Sequence, residues 1–469
     1  MPRRLSIGTT LTAVILAAGV AGAGAPGTFP TGEIVPRVAA TVDPARTYAL
    51  YLPSGYTPQH RWPLLIVMDP RGRAIRAMER FVPAAERFGY VVVSSYDTRS
   101  DGPREPNILA LRAIFPDTEE RLAIDGRRHY LAGFSGTARL AWDVAARLPG
   151  RVAGIFGVGA GFPPGFEPPD EMTWVFAGAA GVLDFNHDEM RALEGILDRS
   201  GMPHRMESFE GPHAWAPEEI CSRAIAWFEI QAMQAHLRPT DRVLAGTLFD
   251  EEVERARDLE AAGQVHEAWT VYRDLVRDLA GLTDTALAAA RAGELATDPR
   301  VVATDRHLVR IAAAHEAAVN RLQAVLQGFW GHAPPPPLVR TLRALDIKNL
   351  KKKAAGEDPL DAAFARRELA NVFTFTSFYL PRDFIRASAS RRALAVLDIA
   401  AAIRADDAGV CLQRARAYTQ LKQRRKALDA LACATSSGRV SRSFIEQDPI
   451  LAALTAEKGF AAALAGDRH

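Results

Sequence analysis

An α/β sheet layered with helices, followed by an all-helical half, is the fold class this sequence predicts. Three observations lead there. From about Val42 to Ala235, short runs rich in β-branched and aromatic residues alternate with helical stretches. Several of those runs are apolar on both faces, as strands inside a parallel sheet must be. Beyond Trp227 the strand-like runs stop and only helical periodicity remains.

The predicted strands are Thr47 to Leu52, Pro63 to Met68, Tyr90 to Ser95, His129 to Phe134, Val152 to Val158, Thr173 to Ala177 and Arg205 to Phe209. Helical patterns lie between them at Arg76 to Phe88, Pro106 to Ile114, Thr137 to Leu148 and Asp188 to Arg199. In the second half, Glu251 to Ala262 and Val265 to Leu279 form a helical hairpin broken at Gly263-Gln264. Its second helix carries the stripe Ala268, Val271, Tyr272, Leu275, Leu279. Ala408 to Leu421 and Arg424 to Ala434 form another hairpin. Between the pairs, Pro334 to Pro337 breaks the helix and favours a polyproline II connector. The expected organisation is a leader over 1–25, an α/β domain over 26–235, and helical blocks over 236–333 and 334–469.

The whole-chain numbers agree with this division. At 469 residues the chain is too long for one ordinary domain. Hydrophobic residues make up 48% and charged residues 24%, a globular balance. A net charge of +2 supplies no long-range field for nucleic acid or acidic membranes. The dense basic run Lys351-Lys352-Lys353 is flanked by Glu357 and Asp358 and reads as a solvated helix face. At the N-terminus, Arg3-Arg4 precede an apolar core from Leu11 to Val20, too short for a spanning helix, and Ala21-Gly22-Ala23 is a small-residue cleavage pattern. Export is the expectation, with cleavage after Ala23 and no membrane span once the leader is removed. The three cysteines, Cys221, Cys411 and Cys433, lack metal-ligand spacing. Cys411 and Cys433 lie symmetrically about the turn of the second hairpin. Either a disulfide or two small buried residues at a helix contact satisfies that placement.

The chemistry begins at Tyr130-Leu131-Ala132-Gly133-Phe134-Ser135-Gly136-Thr137. An apolar strand runs into Gly-x-Ser and a helix follows at once, the layout of a turn that lifts a serine hydroxyl above a sheet. The N–H groups opening that helix face any negative charge that develops there. Thr137 replaces the glycine that usually closes the motif and requires a small neighbour. A histidine in Phe209-Glu210-Gly211-Pro212-His213-Ala214-Trp215 directly follows the last strand, where a loop imidazole can reach the serine and move its proton. Its rival is His187. Asp184, in Gly181-Val182-Leu183-Asp184-Phe185-Asn186, follows the sixth predicted strand; it either orients the histidine or caps the next helix, and Asp188 is its alternate.

On these segments, residues 42–235 resemble the α/β-hydrolase fold, and most of all the secreted esterases related to polyhydroxybutyrate depolymerases and feruloyl esterases. The resemblance implies a catalytic order of serine, acid, histidine, met here by Ser135, Asp184 and His213. It implies an oxyanion hole from the N–H of Gly136 and a second donor after the second predicted strand. Relatives often carry His-Gly there; this chain has Asp69-Pro70-Arg71-Gly72-Arg73. Pro70 has no N–H, so Arg71 or Gly72 must donate. Arg71 is expected in the oxyanion hole, and Arg73 is expected to bind an anionic substrate group. The stiff loop Gly161 to Pro169 replaces a helical lid, so an open cleft is expected, walled by Phe162, Phe166 and Trp215 and suited to an ester on a large or polymeric molecule. The helical pairs resemble tetratricopeptide repeats in "EAWTVYRDL", "KALDALACA" and "LQRARAYTQL", which implies docking of a protein partner or covering of the cleft. The expected protein is an exported serine esterase working through an acyl-enzyme, with no metal or organic cofactor. Two alternatives are a serine peptidase on the same triad and a silent hydrolase-fold platform whose helical half carries the function.

Overall fold

Strands β1 (Ile34–Ala39), β2 (Thr47–Tyr51), β3 (Trp62–Met68), β4 (Val91–Ser95), β5 (Ile124–Phe134), β6 (Val152–Val158), β7 (Val175–Gly181) and β8 (His204–Phe209) form one sheet in the order β1-β2-β4-β3-β5-β6-β7-β8. The computed structural model describes residues 29–169, 172–331, 334–436, 438 and 440–465. The expected leader over 1–25, with its cleavage after Ala23, lies outside the described residues. β2 runs antiparallel to β1 and β4, and every other pairing is parallel. β1 is a strand the periodicity did not reveal. Pro36 interrupts it, and proline is tolerated only where no ladder hydrogen bond is asked of it. It lies at the sheet edge, and its register shifts between Val35 and Val38.

Parallel strands need crossovers, and helices supply them on both faces. One face is covered by α1 (Ala74–Met78), α2 (Val82–Phe88) and α6 (Glu218–Gln234), the other by α3 (Glu105–Arg121), α4 (Gly136–Arg147) and α5 (His187–Ser200). Alternate residues of each central strand feed the two cores: Leu64, Ile66 and Met68 pack toward α3–α5, while Leu65 and Val67 pack toward α1, α2 and α6. The largest buried rings fix these layers. Trp142 of α4 meets Phe176 at 4.6 Å, and Phe228 of α6 stacks on Tyr130 at 4.7 Å. With β3 to β8 all pointing one way, six loops gather at their C-terminal ends. These loops begin at Asp69, Tyr96, Ser135, Gly159, Val182 and Glu210. Open α/β sheets bind ligands at that edge.

The helical half continues with α7 (Arg242–Ala261), α8 (Val265–Asp278), α9 (Ala286–Leu295) and the long α10 (Pro299–Gln327). It then runs through α11 (Leu338–Ala344), α12 (Ile347–Ala354), α13 (Pro359–Thr374), α14 (Leu380–Arg386), α15 (Ser390–Ile403), α16 (Ala408–Gln420), α17 (Arg424–Thr435), α18 (Arg442–Gln447) and α19 (Phe460–Leu464). A π-helical turn, Phe375–Tyr379, joins α13 to α14. The cores overlap the segment boundaries. Ile230 and Met233 of α6 pack with Leu248, Tyr272 and Leu275 of α7 and α8. Val301 near the start of α10 belongs to that same core, while Leu322 and Leu326 near its end belong to the next one. Among the described residues, no helix is long and apolar enough to cross a membrane.

Ion pairs fasten the halves together. Arg205 of β8 and Arg87 of α2 meet Glu252 and Glu251 of α7, and Arg367 of α13 meets Asp188 of α5. The Trp227 Nε1–H of α6 donates to Asp278 of α8 at 2.9 Å.

Of the two arrangements open for the cysteines, a disulfide is present. Cys411 and Cys433 are bonded between α16 and α17, with Cα atoms 5.8 Å apart, and Cys221 is a buried free thiol. The bond closes a separation of 22 residues. Its reduction should therefore lower the stability of the C-terminal helices by about 3 kcal/mol. Urea unfolding followed with and without dithiothreitol measures this, and identical midpoints would count against a bonded pair.

Candidate active site

Ser135 occupies the junction between β5 and α4 with φ 56° and ψ −127°. A non-glycine residue holds that conformation only when its surroundings impose it. Here the surroundings are explicit. The Ser135 N–H donates to Val158 O at 2.8 Å, and the Ser135 carbonyl accepts from the Ala138 N–H. Gly133 leaves no room for a side chain, since a Cβ there would fall 2.3 Å from Thr137 O. Gly133 is thus the small neighbour Thr137 required. The Thr137 hydroxyl also does what a glycine cannot: it donates to Met68 O at 2.5 Å and accepts the Phe134 N–H at 3.1 Å, tying the turn to β3.

The histidine and acid loops arrive from β8 and β7. His213 Nε2 lies 2.9 Å from Ser135 Oγ, and His213 Nδ1 lies 2.9 Å from both oxygens of Asp184. With Nδ1–H donating to the carboxylate, Nε2 presents its lone pair to the serine hydroxyl. Asp184 is fully buried and the imidazole is 20% exposed, so the acid is shielded while the base stays reachable. The ring is gripped between Phe134 and Phe185, with centroids 4.6 and 4.4 Å away. His187 is elsewhere: its Nε2 sits 3.1 Å from Ser208 Oγ. Asp188 is elsewhere too, paired with Arg367.

Several contributors carried no signal of their own in the sequence. The Asn186 N–H donates to Asp184 Oδ1 at 2.8 Å, and its side-chain amide donates to Gly159 O at 2.7 Å, joining the acid loop to the loop after β6. Gly159 has φ 62°, and a Cβ on it would stand 2.7 Å from Asp184 Oδ2 and 3.2 Å from the His213 ring. Ser100, in the loop after β4, packs directly on Gly136, where an added Cβ would meet Ser100 Cβ at 2.4 Å.

Four expected site residues take other roles. The Arg71 N–H does not point to an oxyanion; it donates to Asp69 Oδ1 at 2.8 Å. The Arg73 guanidinium does not reach for substrate, because it forks onto Asp69 at 3.0 and 2.9 Å. Trp215 is buried, with Nε1–H donating to Asp69 Oδ2 at 3.0 Å and its ring beneath Phe134. One carboxylate therefore gathers the donors the sequence had assigned to the cleft. Burial would raise the Asp69 pKa, but the Arg73, Trp215 and backbone hydrogen bonds outweigh burial and hold it below its ordinary value. Phe162 and Phe166 turn away to pack on Trp142 of α4, at 4.7 and 6.0 Å. As the first residue of α4, Gly136 keeps an N–H with no acceptor inside the helix. The Arg71 side chain is exposed and makes no ion pair among the described residues.

The open cleft expected from the short loop is narrowed by the helical half. Tyr379, in the π-helical turn, is buried enough to push its phenol pKa up, and Asp101 raises it further against the opposing charges of Arg139 and Arg382. Asp101 accepts from Ser100 at 3.0 Å, and Arg139 pairs with Glu189 at 2.7 Å one turn after Ser135. Two groups could bring metal-binding atoms together: Asp188, His315 and Glu368, and the more exposed His307, Asp358 and Asp361. In the first, the Arg367 guanidinium already holds the cation's place on Asp188.

No protein-family model matches the chain, and no curated protein matches it. Solved structures similar to it include the fluorophosphonate-binding serine hydrolase F of Staphylococcus aureus, at 13% identity and a TM-score of 0.36, over 42% of this chain and 99% of that one. The S-formylglutathione hydrolase of the same organism matches at 13% identity and 0.34, over 43% and 99%. An esterase of Pyrobaculum calidifontis matches at 16% identity and 0.34, over 43% and 87%.

Two outcomes follow from the geometry. Gly159→Ala should cut turnover by about 10²-fold or more by displacing Asp184 and His213, with circular dichroism unchanged; wild-type turnover would refute the packing argument. A carboxyl with a lowered pKa adds stability above its ordinary value, 3.8 for Asp69, and that stability is lost as pH falls through the lowered value. Unfolding free energy measured from neutral pH down to acid should therefore drop at the low end in wild type. In Asp69→Asn the drop should be shallower, and superimposable curves would show that Asp69 is not responsible.

Proposed function

We propose that this chain is a serine hydrolase acting on carboxylic esters, with Ser135 as nucleophile, His213 as general base and then acid, and Asp184 orienting the imidazole. One observation carries the reading: an unbroken relay runs from a half-exposed serine oxygen through an imidazole to a fully buried carboxylate.

In the first step Ser135 Oγ bonds to the ester carbonyl carbon while its proton moves to His213 Nε2. The charge that collects on the carbonyl oxygen faces the Gly136 N–H at the head of α4. With the Arg71 N–H engaged by Asp69, the Ser100 hydroxyl beside Gly136 is the second donor, after turning from Asp101. Collapse breaks the ester C–O bond, and the proton on Nε2 leaves with the alcohol. Water then repeats the cycle on the acyl-enzyme and restores Ser135. This chemistry calls on no metal or organic cofactor. The exposed Arg71 guanidinium suits a substrate bearing an anionic group. A bulky or polymeric ester must enter past the Tyr379 turn. The Cys411–Cys433 disulfide supports an exported protein, because such bonds persist in oxidising compartments. The α7–α8 and α16–α17 hairpins support the repeat-like reading of the helical half, with a protein partner as its ligand.

A catalytically silent platform is the second reading, and the engaged Arg71 N–H is what favours it. A fluorophosphonate probe separates the two. Wild type should label on one serine and hydrolyse p-nitrophenyl acetate. Ser135→Ala should lose both, and Asp184→Asn should lower kcat by about 10³–10⁴-fold. A folded, unlabelled wild type would favour the platform.

A further inference from the structure

Most of the machinery that holds Asp184 belongs to the α/β domain, but one part does not. Arg367 sits in the middle of α13, in the helical half, and its side chain is 6% exposed. Nε donates to Asp188 Oδ2 at 2.6 Å and Nη2 to Asp188 Oδ1 at 2.9 Å, while Nη1 donates to Val182 O at 3.0 Å. Val182 and Asp188 are the two ends of the segment that carries the acid. The same segment is held from the other side by backbone bonds alone: the Val182 N–H to Phe209 O at 2.8 Å and the Leu183 N–H to Gly211 O at 3.0 Å. Those bonds lead into the histidine loop. One guanidinium therefore closes the open side of a seven-residue loop whose other side is shared with His213.

We propose that Arg367 is a positioning residue for the reaction, a clasp through which the helical half fixes Asp184 against His213. The inference rests on the serine-hydrolase reading given above. An arginine suits this task because its planar fork can grip a carboxylate with two N–H groups and still spend a third on a carbonyl; a lysine ammonium has no such geometry. The clasp is itself braced. Next to it on α13, Glu368 accepts from His315 Nδ1 of α10 at 2.6 Å, so α10 and α13 hold each other behind the guanidinium. His187 of α5 flanks Asp188 on the other side at 3.7 Å. Arg367 and Asp188 have no water to turn to, so an Arg367 that lost Asp188 would be a buried charge without a partner. The segment therefore has one stable arrangement while α13 is docked.

The experiment compares wild type, Arg367→Met, Arg367→Lys and Asp188→Asn in the full chain. Active sites are counted by fluorophosphonate titration, and p-nitrophenyl acetate hydrolysis is read as kcat per titrated site. A contribution to folding alone lowers the number of titratable sites and leaves kcat per site unchanged. Positioning lowers kcat per site, by about 10²-fold for a displacement near 1 Å, with KM within about twofold. Arg367→Met is expected to show that loss and Arg367→Lys to recover part of it. Arg367→Met with wild-type kcat per site would overturn the proposal. Should that variant fail to fold, Asp188→Asn decides: a loss of tenfold or more per site supports the clasp, and a wild-type value overturns it. A folded wild type that takes up no fluorophosphonate overturns the hydrolase reading and this inference with it. A labelled wild type beside an unaffected Arg367→Met overturns this inference alone.

Discussion

The buried carboxylate of Asp184 is the fixed point of this molecule. It has no access to water, so every lone pair it offers must be met by protein. His213 and the Asn186 N–H meet them, and those two contacts decide where the imidazole stands. Around this point the fold reads as a set of constraints on backbone approach. Gly159 is bare because the carboxylate needs its space, and Gly181 is bare because the histidine loop crosses it, with Gly211 O only 2.3 Å from where a Cβ would be. The elbow at Ser135 is the complementary constraint: a strained backbone, tolerated because β5, α4 and a threonine hydroxyl leave it no alternative.

The three residues at the centre were legible because each stands just after an apolar run, where a strand must end and a loop must begin. Strand order puts all such loops on one edge, so chain position alone brings Ser135, Asp184 and His213 together. What surrounds them was not legible, because it depends on which side chain reaches a given donor first. Asp69-Pro70-Arg71-Gly72-Arg73 looked like a loop with amides to spare. In fact its own aspartate turns back and takes the Arg71 and Arg73 N–H groups, a local bond that aspartate makes readily. Phe162, Phe166 and Trp215 looked like a cleft wall, yet rings of that size are worth more packed on Trp142, Phe134 and Phe81 than facing water. Ser100 and Arg367 lie 35 residues before and 232 residues after Ser135 in the chain, and no periodicity links them to it.

The helical half is bound to the α/β half by more than adjacency. Its attachments fall at two distant places, α7 against α2 and β8, and α13 against α5. The long α10 spans the two helical cores, so motion at one attachment is felt at the other. The π-helical turn brings Tyr379 toward the Ser100–Asp101 loop, and π-turns inside helices recur at functional positions.

The overlap of cores at α6 has a practical side. A gene trimmed at residue 235 would look like a tidy catalytic fragment, since the sheet and the triad all precede it. Its last helix would carry Ile230 and Met233 to the surface with nothing to cover them, and Trp227 would lose the carboxylate that accepts its indole N–H. Such a fragment invites self-association through that bare strip, and low solubility on its part would say nothing about whether the complete enzyme is well behaved.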